Sequence, residues 1–142
     1  DLDSDGDLDI VGTSFTLFRR FTPRPPHARS GVLFGCTYSR SLAAADLDGD
    51  LDLDVIAASE EGDVVWFENT DGAGTFADAE DIGVLNSATS VVAADLDNDG
   101  DIDLVVADTD GGSVVWFENT DGLATFSTAI EIAIDFSVRQ VG

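Results

Sequence analysis

Apolar residues along this chain come in short runs set between acidic and glycine-rich stretches. Val91-Val92-Ala93-Ala94, Leu104-Val105-Val106-Ala107 and Val114-Val115-Trp116-Phe117 show the rhythm. The runs are too short and too apolar for amphipathic helices, and β-branched residues dominate them, which predicts strands. The clearest copy predicts four, over residues 90–94, 102–107, 113–118 and 125–132. Between them stand Asp110-Gly111-Gly112 and Asp121-Gly122. Glycine accepts positive φ and aspartate bonds its own backbone, so both are hairpin turns.

The pattern repeats. SLAAADLDGDLDLDVIAA at residues 41–58 matches SVVAADLDNDGDIDLVVA at 90–107, a period of 49 residues. VVWFENTDGAGTF at 64–76 then matches VVWFENTDGLATF at 114–126, one residue later in register. Periods of this length indicate a solenoid, a propeller or an array. Four short strands per unit choose the β-propeller blade. The expected fold class is therefore all-β, a partial β-propeller built of four-stranded antiparallel blades with acidic loops. The chain divides into a degenerate first repeat at 1–40, a second at 41–89, and a third at 90–142 that runs into the start of another. Propellers use about four to eight blades, so fewer than three should not close alone. The chain has no methionine and opens inside an acidic loop, so it is expected to be a piece of something longer.

Each repeat carries aspartates on alternate positions between its first two strands. The sets are Asp1, Asp3, Asp5, Asp7 and Asp9; Asp46, Asp48, Asp50, Asp52 and Asp54; and Asp95, Asp97, Asp99, Asp101 and Asp103. Carboxylates at loop positions 1, 3 and 5 can turn inward together, position 7 can offer its backbone carbonyl, and position 9 can close the cage. Hard oxygen donors in that number suit Ca²⁺, which takes six to eight of them. Softer metals call for His or Cys, and these runs contain neither. Up to three ions are expected. The second loop departs from the others because Leu51 stands where Gly6 and Gly100 stand, at the sharp turn. A branched side chain there costs roughly 1 to 2 kcal/mol, so this site is expected to be the weakest. A bare acidic turn is the rival reading of these loops. Three copies with full alternate spacing argue against it. An EF-hand would need glutamate at position 12 between helices, where this chain has Gly12, Ala57 or Val106 in strands.

Charge fits the same picture. The net charge is −23 over 142 residues, which repels nucleic acid and anionic membrane. Intrinsic disorder, the common reason for such acidity, conflicts with the regular apolar runs. Three Ca²⁺ would add six charges and bring −23 to −17. Carboxylates about 4 Å apart repel by roughly 1 to 4 kcal/mol per pair, so calcium is expected to support folding itself. No run of about 18 apolar residues could insert in a bilayer, and the single Cys36 excludes an internal disulfide.

The D-x-D-x-D-G-x-x-D loop, the A-A-D-L before it and the apolar strand after it resemble the FG-GAP/VCBS repeats. These are the calcium-loop blades of integrin α-type propellers and of many extracellular proteins. The resemblance covers nearly all of residues 41–142 and the loop at 1–11. It implies an extracellular or cell-surface location, consistent with modules that bind calcium at about 10⁻⁴ to 10⁻³ M. It also implies adhesion or recognition of a protein or glycan, with further blades of the parent chain as neighbours. No enzymatic activity is expected: nearly every acid belongs to a cage, and no Ser-His-Asp or Cys-His arrangement exists. A non-catalytic module attached to a polysaccharide-acting enzyme and a purely structural spacer are the alternatives.

Other residues take plainer roles. The repeated Trp66-Phe67 and Trp116-Phe117 could stack on sugars, but packing between blades accounts for them more simply. Glu68 and Glu118 are expected at a solvated rim, and Asn69 and Asn119 lack the Ser or Thr of a glycosylation acceptor. Residues 15–40 stand apart: they hold five of the six arginines, all three prolines and no acid. They read either as a basic insertion or as translation out of frame. The return of the repeat at Ser41 favours the second reading.

Overall fold

The computed structural model describes residue 2, the backbone of 10–14, 17–21 and 32–33, and residues 38–132. All regular structure there is β. A three-stranded antiparallel sheet is formed by β1 (Ile10–Ser14), β2 (Leu17–Phe21) and β3 (Val32–Leu33) in that order. The second sheet runs β4 (Ser39–Ala45), β5 (Asp54–Ser59), β6 (Asp63–Phe67) and β7 (Glu80–Val84). The third repeats it with β8 (Ala88–Ala94), β9 (Asp103–Asp108), β10 (Ser113–Phe117) and β11 (Ile130–Ile132). Each four-stranded sheet is an up-and-down antiparallel meander, the arrangement of a propeller blade. The fourth strand is shorter than the apolar pattern suggested. The NTDG turn occupies the chain after β10, and only the isolated Asn119–Phe126 bridge joins the sheet before β11.

Why the central strands are unbroken apolar runs follows from the stacking of the blades. All six residues of β5 are buried, because this strand is covered on both faces. Ile56 and Ala58, with Val64 and Trp66 of β6, face the third blade and meet Ala88, Val91, Leu104, Val106, Val115 and Phe117. Val55 and Ala57, with Val65 and Phe67, form the opposite cluster, joined by Leu2 from the first repeat. Trp66 thus lies in the core between blades. Glycine has a specific task at Gly83 on β7, where an added Cβ would come 2.6 Å from the Phe117 ring. The ring of one blade therefore rests directly on the backbone of the other.

The chain between the second and third blades is pinned by Asp108 at the end of β9. Its carboxylate accepts N–H from Asn86 (3.1 Å), Ser87 (3.0 Å) and Gly111 (2.9 Å), and the Asn86 side-chain amide at 3.0 Å. Burial pulls this carboxyl upward, but the N–H donors outweigh it and hold it below the usual range.

Gly83→Ala is expected to destabilise the chain by about 1–3 kcal/mol through overpacking, and Phe117→Ala by about 3–5 kcal/mol through the cavity it leaves. In urea denaturation the Gly83→Ala penalty should largely vanish in the Phe117→Ala background. Additive losses would mean that the ring and the glycine do not share one contact.

Candidate metal centre

Each described acidic loop begins where the first strand of its blade ends, and its aspartates first organise their own backbone. Asp46 accepts N–H from Gly49 on Oδ1 (2.8 Å) and from Leu51 on Oδ2 (3.0 Å). Asp48 accepts the N–H of Asp50 at 3.3 Å, and Asp50 that of Asp52 at 2.9 Å. The third loop copies the set: Asp95 takes Asn98 (2.7 Å) and Gly100 (3.2 Å), Asp97 takes Asp99 (3.2 Å), and Asp99 takes Asp101 (2.9 Å). Wrapping the backbone around these carboxylates needs positive φ twice. Gly49 and Asn98 supply it at position 4, Leu51 (+76°) and Gly100 (+102°) at position 6. Leu51 therefore adopts the strained conformation expected of it, with its side chain 88% exposed. The loop keeps the hydrogen bonds of its glycine counterpart.

The result is two clusters, Asp46-Asp48-Asp50 and Asp95-Asp97-Asp99, whose carboxylate oxygens lie within 4.8 Å of one another. Ligands on opposite sides of Ca²⁺ at 2.3–2.6 Å stand at most about 4.6–5.2 Å apart. Spacing and an all-oxygen donor set thus fit a hard cation, and these two clusters can bind metal ions.

Positions 7 and 9 are placed differently. The carboxylates of Asp52 and Asp101 lie against Gly72 and Gly122 of the NTDG turns, where an added Cβ would come within 2.3 and 2.5 Å of an oxygen. Asp52 and Asp101 stand outside the three-carboxylate clusters. Asp54 and Asp103 are fully buried. Asp54 accepts N–H from Leu47 (3.1 Å) and Asn69 (2.8 Å), and Asp103 from Leu96 (3.1 Å) and Asn119 (2.8 Å). They tie the start of each loop to the end of the third strand. A carboxylate retains lone pairs beyond two such bonds, so these oxygens can still face a cation. Asp1, Asp3, Asp5, Asp7 and Asp9 lie outside the described residues.

Sequence reasoning missed Asn69 and Asn119. Both are buried, and each reaches into the loop of the preceding repeat. Asn69 Nδ2 donates to the Leu2 carbonyl and Asn119 Nδ2 to the Leu47 carbonyl, both at 2.9 Å. The signal was the strict return of Asn between an aromatic strand and a DG turn. In those turns Asp71 and Asp121 each accept two backbone N–H groups. The N–H of Leu123 is the main cause holding Asp121 below the ordinary carboxylate range.

Several carboxyls of the loops are held above their ordinary range. Burial pushes Asp54 up to about 6 against the N–H bonds of Asn69 and Leu47. Asp48 and Asp97 are raised, chiefly by desolvation. Asp52 and Asp101 are raised by desolvation and then by neighbouring acids.

Stacked four-stranded blades, each with an acidic loop joining its first two strands, define a class: segments of β-propellers with acidic rims. The FG-GAP-like repeat model matches this chain twice, over residues 46–106 and 95–141, and the chain belongs to that family. Searches of curated proteins and of solved structures found no match.

Two outcomes are expected. Leu51→Gly removes about 1–2 kcal/mol of backbone strain but frees the unfolded chain by about 0.4–1 kcal/mol. The variant should gain up to roughly 1.6 kcal/mol in chemical denaturation, and a loss would show that the leucine makes a compensating contact. The second concerns pH. Acids that titrate higher in the fold than in the unfolded chain hold extra protons when folded, so stability falls as pH rises through that interval. In calcium-free buffer the melting temperature should therefore drop between about pH 4 and pH 6–7. Asp54→Asn should flatten that slope. Asp108, held low, acts in the opposite sense as pH falls below the usual carboxylate range.

Proposed function

We propose that the acidic loops bind Ca²⁺ and that the chain is a calcium-stabilised segment of an extracellular or cell-surface propeller. Loops away from the metal rim recognise a protein or a glycan, in adhesion or a related binding role. One observation carries the calcium reading: three carboxylates converge in each described loop, and no cationic side chain among the described residues neutralises them. Arg40 is the sole basic residue between 38 and 132, and it is bound to Glu60 at 2.7 Å. Convergent anions without a counter-charge are costly unless a cation joins them. Calcium suits the all-oxygen donor set, the loop geometry and the family to which the chain belongs.

The reading is non-catalytic. The acids of the loops and turns are engaged in organising backbone N–H groups, as described for Asp54, Asp103, Asp108 and Asp121. Calcium acts here on structure: it neutralises the rim and fixes the two loops whose aspartates hold the blades in register. The adhesive or recognition role draws on the family resemblance, because fold alone does not set function.

Calorimetric titration of the whole chain with calcium should show two ions for the described loops, and a third if the loop at residues 1–9 is competent. Asp46→Asn with Asp50→Asn should remove one ion, and Asp95→Asn with Asp99→Asn another. A folded chain that binds no calcium would overturn the reading.

A further inference from the structure

Two exposed leucines stand where the matching repeat positions carry small residues. Leu51 occupies position 6 of the second acidic loop, matched by Gly100, and Leu123 follows Asp121-Gly122 in the third blade, matched by Ala73. Leu51 is 88% exposed and Leu123 is 66% exposed. The segments that carry them touch. An added Cβ on Gly49 would come 3.4 Å from the Gly122 carbonyl oxygen, and the Ala124 N–H reaches the Leu47 carbonyl at 3.1 Å. A single exposed leucine is ordinary. Here two stand on adjoining turns, and Leu51 bears a φ of +76° that glycine would adopt without strain. Strain at a residue that the core does not bury points to a function for it.

The surface around them is anionic. Asp50 and Asp121 are exposed. Desolvation, and then the nearness of Asp50, Asp46 and Asp71, pushes the Asp52 carboxyl up. Asp52, Asp71 and Asp121 stand outside the three-carboxylate cluster, so a cation held there would leave the ring anionic. Residues 41–132 contain no Lys, Arg or His to answer it.

We propose that the Leu51 and Leu123 turns dock a peptide segment that carries bulky apolar side chains flanked by arginine or lysine. Apolar contact forms the centre and charge pairs form the rim, the usual division of a recognition surface. The cationic flanks select the partner and speed its encounter. An anionic membrane is repelled by the same ring, and a second copy would bring −23 against −23. This surface is additional to the recognition loops of the proposed function, which lie away from the acidic rim. It stands whether or not calcium occupies the cluster.

The test titrates the whole chain with a dye-labelled hexapeptide of two leucines between pairs of arginines, read by fluorescence anisotropy. Physiological ionic strength screens loose charge attraction, and the titration is run with and without calcium. Saturable binding is expected, several-fold tighter than for hexa-arginine although that peptide carries more charge. Leu51→Gly with Leu123→Ala, which restores the residues of the matching positions, should weaken it several-fold. Leu51→Gly alone should raise the urea midpoint while it weakens binding, a pairing that a purely structural leucine does not give. Val84→Ala trims a side chain 70% exposed at the far end of β7, and should bind as the unaltered chain does. Equal affinity for the two peptides, or no loss in the double variant, overturns the proposal. So does Leu51-dependent binding to phosphatidylserine vesicles, which assigns the leucines to a membrane, or Leu51-dependent self-association, which assigns them to a second copy. Calcium stoichiometry on the same samples separates the two readings. Peptide bound without calcium sinks only the calcium reading, and calcium bound without peptide sinks only this surface.

Discussion

A buried carboxylate at the end of each described acidic loop ties that loop to the third strand of its blade and so sets the loop that the next blade meets. An ionised group without solvent is expensive unless hydrogen bonds replace its water, and Asp54 and Asp103 each receive two backbone N–H donors. One donor comes from loop position 2 and the other from the asparagine closing the third strand. That residue's carbonyl and that asparagine's side chain then continue the connection between blades. The path runs from Asp54 to the Leu47 N–H, from the Leu47 carbonyl to the Asn119 amide, and from the Asn119 N–H to Asp103. It passes through both acidic loops and crosses the interface once. Apolar packing supplies most of the free energy between the sheets. Register is helped by the one crossing in this path, since a slipped blade would strip the Leu47 carbonyl of its bonds to the Asn119 amide and the Ala124 N–H.

The same path accounts for the position of the acidic clusters. Cage carboxylates at positions 1, 3 and 5 take up N–H groups of their own loop, and position 9 fastens that loop to the sheet. The carboxylates are thereby held by the backbone of their own loop. Its stress is electrostatic, visible in the upward shifts of Asp48, Asp54 and Asp97, with burial as the leading cause. A cation at the cluster opposes that stress directly, through charges that already converge. The loop geometry survives the loss of glycine at position 6: with Leu51 there it keeps its hydrogen bonds while one residue bears positive φ.

Much of this was legible in the sequence. The period of 49 residues, the four strands per unit and the alternate aspartates are local patterns that survive in one dimension. Central strands such as Val55-Ile56-Ala57-Ala58 announced burial on both faces by lacking polar alternation. What escaped was non-local. Asn69 and Asn119 look like turn residues beside a DG pair, and nothing in their neighbourhood says that the side chain crosses to another repeat. Position 9 was read as a cage ligand because spacing shows it at the loop's end, whereas its burial depends on where β6 and β10 finish. The leaning of Asp52 and Asp101 onto Gly72 and Gly122 likewise joins segments about twenty residues apart.

Repeats that look equal in sequence are unequal in the fold, because each blade's environment depends on what stands beside it. Leu47 and Leu96 occupy the same loop position, one sealed under a neighbour and one at the surface. Ala124 stands where the second blade has Gly74, and adopts a positive φ of 61° that only glycine reaches without cost. In the second blade the Gly74 N–H satisfies the Asn69 side-chain oxygen at 3.1 Å. In the third the Ala124 N–H goes to the Leu47 carbonyl, and the Asn119 Oδ1 is left buried without a partner. An unpaired buried oxygen costs about 1–3 kcal/mol. The third blade thus gives up some internal satisfaction for a second hydrogen bond to the preceding loop. Such an exchange raises the coupling between adjacent repeats at the expense of the single repeat, which is how a linear array acquires cooperativity.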